Sequence, residues 1–306
     1  MTLHNNGNQA PVQVHLDSGL GIISLADGQG TNRLDGLFLS ELVSAFHQVL
    51  ESPDVRVILL RSLEENFCLG MNLDVLKESL EADNNQSTSG SFSGAGLSTS
   101  DSNQDSRHDA VSLYSQLLEL IAFGPKPVIG LVEGPVKAGG VGITAACDIV
   151  VADLNKASFE LSEVLFGLIP ANVLPFLMHQ RISPQQARYL VLSAKLIDPI
   201  QALQMGLCDE IYTTLELEKG LKHLIKTMMR AEPGALEAAK RFIGSHVSTD
   251  FQEFKDAAVG ELLGLMTQPP VAQGLEAFSS GATPPWFGKF KPSLRLTQPG
   301  SESQEA

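Results

Sequence analysis

The sequence predicts an α/β fold followed by a helical C-terminal region, and three observations carry that prediction. Short apolar runs alternate with segments of helical spacing through roughly the first two hundred residues. Two of those runs feed glycine-containing turns that open helices. Roughly the last hundred residues are almost all of helical period. With 306 residues, 43% of them hydrophobic, the chain can bury one large core carrying a helical appendage.

Residues 12–25 read as two short strands around Ser18-Gly19, with Val12, Val14 and Leu16 alternating. Residues 28–30 are a loop. Residues 37–50 place Leu39, Leu42, Val43, Phe46 and Leu50 at helical spacing, and Ser52-Pro53-Asp54 ends the helix. Residues 55–61 are continuously apolar apart from one Arg at each end of Val57, Ile58, Leu59 and Leu60, which suits a buried strand. A strand, helix, strand order with short links implies a parallel crossover. Residues 83–107 are Ser, Asn, Gly, Asp and Gln with Phe92 and Leu97 as the large apolar residues. That composition cannot offset ordering entropy, so a mobile insert is expected, serving as a linker or as a flap near a site. Helix resumes over 111–123, Lys126-Pro127 closes the link, and 128–132 is a second buried strand. After a glycine-rich turn come a helical stretch at 141–147 and a strand at 149–152. Residues 183–192 and 199–205 read as helices, the second stopped by Gly206. Residues 215–231, 233–245 and 251–266 are three more. The expected organisation is a core over 12–200 with the insert at 83–107, a helical region over 201–292, and a polar, disordered tail over 293–306.

The formal net charge of −14 repels nucleic-acid phosphates and anionic membrane surfaces, so neither is an expected partner. Cys68, Cys147 and Cys208 lie far apart, odd in number and without metal-finger spacing, as expected of small core residues in a reducing compartment. Residues 1–11 are polar and do not resemble a signal peptide, and no apolar run reaches about 18 residues. A cytoplasmic location is the expectation. The histidines show no metal-ligand spacing, so no metal is expected.

Two segments stand apart. The first is Glu65-Asn66-Phe67-Cys68-Leu69-Gly70-Met71-Asn72-Leu73, directly after a buried strand. The second runs from Lys126-Pro127-Val128 through Glu133-Gly134-Pro135-Val136-Lys137-Ala138-Gly139-Gly140-Val141-Gly142. Each is a strand, a glycine turn and a helix start, which leaves backbone N–H groups unpaired at a positive helix end. Two such turns can converge on one oxygen.

These segments resemble the signature of the enoyl-CoA hydratase (crotonase) superfamily over roughly residues 12–290. Thr31-Asn32-Arg33-Leu34, Phe159-Glu160-Leu161-Ser162-Glu163, Gly167-Leu168-Ile169-Pro170 and the stretch 198–211 extend the likeness. The resemblance implies a spiral of ββα units with a helical C-terminal trimerisation region, as a trimer or a dimer of trimers. It implies an oxyanion hole from the amides of Met71 and Gly139, holding a thioester oxygen. Of the two glutamates that hydratases of the family use, one falls at Glu163 and the other at Gly142, where it is absent. One Glu can still move an α-proton and pass it to a leaving hydroxyl on the same face.

The strings 67–72, 136–142 and 168–177 further resemble the crotonase-like dehydratases of polyketide β-branching cassettes. These dehydrate 3-hydroxy-3-methylglutaryl (HMG) on an acyl carrier protein to the 3-methylglutaconyl thioester. Asn72 stands where that motif would have Asp. Gly142 is expected to free volume beside the branched carbon. Lys137, Arg33 and Asn172 are unranked candidates for the terminal carboxylate. The resemblance assigns phosphopantetheine or carrier contact to the C-terminal region, so Lys289, Phe290 and Lys291, near Trp286, Phe287 and Arg295, are the preferred candidates over Lys222, Lys226 and Arg230. No further cofactor is implied beyond the thioester carrier, an acyl carrier protein or CoA. The alternatives are the partner methylglutaconyl-thioester decarboxylase, a generic enoyl-CoA hydratase or isomerase, and a non-catalytic acyl-binding scaffold.

Overall fold

The computed structural model describes residues 10–73, 102–244 and 249–287. Strands β1 (Val12–Asp17) and β2 (Leu20–Leu25) form an antiparallel hairpin, turned by Ser18 at φ 49° and Gly19 at φ 91°. From β2 the sheet continues in parallel through β3 (Val57–Ser62), β4 (Val128–Val132), β6 (Ile149–Asp153) and β8 (Glu210–Tyr212). Two three-residue strands, β5 (Pro135–Lys137) and β7 (Ser158–Glu160), pair in a small second sheet.

Helices make the parallel crossovers. Helix α1 (Gly36–Glu51) links β2 to β3, as the strand, helix, strand order predicts. It starts at Asp35, whose side chain accepts from the Phe38 amide at 2.9 Å. It ends at Ser52, where the buried Lys126 ammonium donates to the carbonyls of Val49 and Ser52. Helix α2 (Ser102–Phe123) links β3 to β4, and α3 (Gly139–Ala146) leads into β6. The expected insert at 83–107 is corrected at its end, because residues 102–107 belong to α2; residues 83–101 lie outside the described chain.

The period-2 alternation of the parallel strands separates two cores. Ile58, Leu60, Val128, Val132, Val150 and Ala152 face α1, α2 and α3. Val57, Leu59, Ile129, Leu131 and Val151 face the other way, onto Leu217 and Leu221 of α7 (Thr214–Met228). That is why these strands read as unbroken apolar runs. The three cysteines are unpaired and buried, as core residues. Helices α4 (Val173–Gln180), α5 (Pro184–Ser193), α6 (Pro199–Met205), α8 (Pro233–Gly244), α9 (Thr249–Met266) and α10 (Pro269–Ser279) complete the described chain. Gly206 at φ 86° stops α6, as its position predicts. A third, small core joins Met266, Val271 and Leu275 of α9 and α10 to Leu168. The tail over 293–306 lies outside the described residues. Among the described residues no helix is long and apolar enough to cross a membrane.

Candidate active site

The first glycine turn is tied down from below. Asn32, fully buried at φ 46°, donates through Nδ2 to Ser62 Oγ at 2.8 Å and to the carbonyls of Asn66 and Phe67 at 3.1 Å each. Above it, Leu34 donates to Gly70 O at 2.9 Å and Asn72 donates to Leu34 O at 2.8 Å. The second turn is laced to the first, since Lys137 N donates to Cys68 O at 2.9 Å. Ala138 then takes φ 47°, ψ −119°, a strained conformation for a residue with a Cβ, and donates to Glu160 O at 2.9 Å. The two turns touch so closely that side chains are excluded. A Cβ on Gly70 would lie 2.8 Å from Ala138 Cβ and 3.2 Å from the Gly139 nitrogen; one on Gly140 would lie 2.5 Å from Cys68 O. This close approach brings Met71 and Gly139 together, with Gly139 in the first turn of α3. Among the described residues neither amide donates to a backbone carbonyl.

Both line one cavity of about 380 Å³. Four other residues singled out in the sequence also line it: Arg33, Lys137, Glu163 and Asn172. Gly142 and Asn72 do not, and Lys289, Phe290 and Lys291 lie outside the described residues.

Glu163 opens a 3-10 turn, Glu163–Phe166, closed by Gly167 at φ 84°. Its Oε2 is buried and has no hydrogen-bond partner among the described residues. Burial pushes the carboxyl up to about 7, and the charge of Glu160 adds to the rise, against the pull of the Glu163 and Ser162 amides. Asn172 is likewise buried, its Nδ2 donating to Val111 O at 3.4 Å and its Oδ1 without a partner among the described residues.

Lys137 is less available than the sequence suggests. Its strand partner is Glu160, and the two side chains form an ion pair at 2.7 Å. Arg33 has no ion pair among the described residues. Glu160 itself, a second carboxylate on the cavity wall, is a site residue that sequence reasoning left without a role.

A larger omission is Tyr114 of α2. Its ring is 5% exposed and lines the cavity, and its hydroxyl donates to Gly139 O at 2.5 Å. A Cβ on residue 142 would lie 2.2 Å from Tyr114 Oη. The expectation that Gly142 frees volume for substrate is therefore corrected: the phenol fills that space. Burial holds the phenol well above its ordinary value, and the neighbouring Cys68 and Glu163 push it the same way. In sequence Tyr114 is one aromatic residue among the apolar positions of a mixed helix, and only the packing of α2 against α3 turns it inward.

The far wall comes from the C-terminal region, through Leu262, Met266, Phe278, Pro284 and Phe287. An apolar cavity with two turn amides unpaired among the described residues and one raised carboxyl can polarise a carbonyl and move a proton beside it.

The enoyl-CoA hydratase/isomerase family model matches residues 15–95 and 86–289. The bacillaene synthase dehydratase PksH of Bacillus subtilis is 28% identical over 275 residues, covering 90% of this chain and 96% of that protein. The crystal structure of the polyketide biosynthesis enoyl-CoA hydratase (pksH) from Bacillus subtilis matches with a TM-score of 0.71 at 26% identity, over 89% of this chain and 98% of that one. The enoyl-CoA hydratase from Bacillus halodurans has the same fold, with a TM-score of 0.76 at 22% identity over 87% and 99% of the two chains. With its fold and most of its length matched in this way, the chain belongs to the enoyl-CoA hydratase/isomerase (crotonase) family.

Proposed function

We propose that the protein is a hydro-lyase that dehydrates a branched β-hydroxyacyl thioester, converting HMG-acyl carrier protein to 3-methylglutaconyl-acyl carrier protein. The observation that carries this reading is the buried Oε2 of Glu163, unpartnered among the described residues, in a cavity also lined by Met71 and Gly139. The thioester oxygen accepts from the Met71 and Gly139 amides. The Glu163 carboxylate takes the α-proton, and the two amides hold the charge that develops on the oxygen. Glu163 then returns the proton to the β-hydroxyl as the C–O bond breaks and water leaves. One carboxylate serves both halves of this elimination, which fits the absence of a carboxylate at residue 142.

The dehydratase named for bacillaene synthase supports a polyketide substrate, and with it a thioester carried on phosphopantetheine. For the terminal carboxylate of HMG, Arg33 and Asn172 are favoured over Lys137, whose charge is already met by Glu160. The arm would enter past Pro284 and Phe287, adjacent in sequence to the Lys289 to Lys291 stretch that the family resemblance gives to the carrier. Tyr189, Leu192, Leu196 and Ile200, exposed on α5, α6 and their link, supply an apolar face for the expected trimer; light scattering would give the subunit number.

The test is incubation of the pure protein with HMG-acyl carrier protein and intact-mass reading of the acyl arm. The expected change is the loss of one water. Loss of carbon dioxide from the methylglutaconyl thioester would assign the decarboxylase reaction instead. An unchanged arm, together with thioester binding that survives Glu163→Ala, would point to a scaffold.

A further inference from the structure

The second carboxylate of the two-glutamate hydratases has no counterpart at residue 142, yet its place is not empty. Tyr114 Oη sits 2.2 Å from where a side chain on residue 142 would begin, with Val173 Cγ2 3.1 Å away on another side. The phenol reaches there from a different element, α2, and its one proton is engaged by Gly139 O at 2.5 Å. A hydroxyl oxygen carries two acceptor lone pairs, so Tyr114 can still receive a hydrogen bond. Tyr114 lines the same cavity as Gly139, Glu163, Asn172 and Val173, and the charge of Glu163 acts on the phenol.

We propose that Tyr114 is the recognition residue for the substrate's β-hydroxyl, accepting a hydrogen bond from it at the place a second carboxylate would otherwise occupy. This rests on the dehydratase reading and deepens it. The β-hydroxyl keeps its proton and donates a hydrogen bond to Tyr114 Oη, which turns an oxygen lone pair toward Glu163. Glu163 takes the α-proton, the Cα–Cβ double bond forms as the Cβ–O bond breaks, and Glu163 returns the proton to the departing oxygen. The water leaves with its two hydrogens, one original and one from Cα, so the atoms balance and Tyr114 stays neutral throughout. Burial, which raises the phenol well above its ordinary value, suits a group that orients without ionising.

The test compares two pantetheine thioesters, 3-hydroxy-3-methylglutaryl and its 3-deoxy analogue 3-methylglutaryl, binding to the full-length protein and to Tyr114→Phe. Phe keeps the ring and removes only the oxygen, and a melting curve checks that the variant folds. The wild-type protein should bind the hydroxylated ligand about tenfold more tightly than the deoxy one, the worth of about one hydrogen bond. Tyr114→Phe should lower that ratio to about one and lower kcat more than it raises KM. If Tyr114 only supports the Gly139 turn, both ligands weaken together and the tenfold ratio survives, which overturns the proposal; a wild-type ratio near one overturns it as well. Ligand binding needs no turnover, so the outcome stands even if no water is lost. In that case a ratio that collapses in Tyr114→Phe retains the hydroxyl contact and rejects the dehydratase reading alone.

Discussion

The two walls of the cavity are built by different means. On the core side, Phe67, Cys68 and Val136 are fully buried and every residue of α3 is buried. Main-chain hydrogen bonds lace the turns together, and glycines bring backbone against backbone. On the C-terminal side, Phe278 and Phe287 are 45% and 44% exposed, and contact is made by apolar side chains on the small core of Met266, Val271 and Leu275. The difference teaches where geometry must be held and where shape can vary. Donors to a developing charge have to be aimed, and a laced backbone aims them without losing side-chain entropy. A wall of side chains sets how much acyl group fits, and can repack at small cost.

The contrast can be broken first at Glu163. Glu163→Gln removes the proposed proton carrier and should lower kcat about 10³-fold on the thioester substrate. In the wild type, kcat/KM should fall about tenfold per pH unit below about 7, because the carboxyl must be ionised to take the α-proton. A flat profile from pH 5 to 8 would remove Glu163 from the base role. The same residue costs stability. The folded carboxyl lies at about 7 against an ordinary 4.5, so between these values the native state keeps a proton that the unfolded chain has released. Stability therefore falls as pH rises through that window, and Glu163→Gln should melt higher than wild type at pH 8, by at most about 3 kcal/mol. At pH 4 the two should melt alike.

Next comes the rigid wall itself. Gly140→Ala places a Cβ 2.5 Å from Cys68 O, a backbone atom, and should cost about 3 kcal/mol in urea unfolding. A cost below about 1 kcal/mol would mean the turns are looser than the contact implies. On the other wall, Met266→Ala empties a site that is 7% exposed and should cost about 2 kcal/mol while kcat changes little. The smallest effect is expected at Phe287→Ala, under about 1 kcal/mol because the ring is nearly half exposed, with KM raised about threefold. Equal kcat losses from the two walls would erase the distinction between them.

Much of this architecture is legible in the residues alone. The apolar runs at 55–61 and 128–132 announce central parallel strands, because both faces of such a strand are buried and polar residues are excluded from its middle. Gly70, Gly139 and Gly140 announce turns with free amides, and Glu163 stands out through its place in the family pattern. The three-residue strands β5 and β7 are not legible, since three residues have no period and their pairing comes from the chain's approach to itself. Nor is the helix at 102–107, whose polar sequence reads as a linker.

The sequence by itself determined the N-terminal hairpin, the central apolar strands and the helices between them, the two glycine turns, one retained glutamate and one lost. These are local properties, set by side-chain period, backbone freedom at glycine and residue identity. Tertiary structure alone decided that Tyr114 closes the gap at Gly142, that Glu160 claims Lys137, and that the C-terminal region walls the cavity. Each depends on the distance between groups on separate elements, which is set when those elements pack. The lost glutamate reads as a vacancy in one dimension; in three, a phenol from another helix fills it.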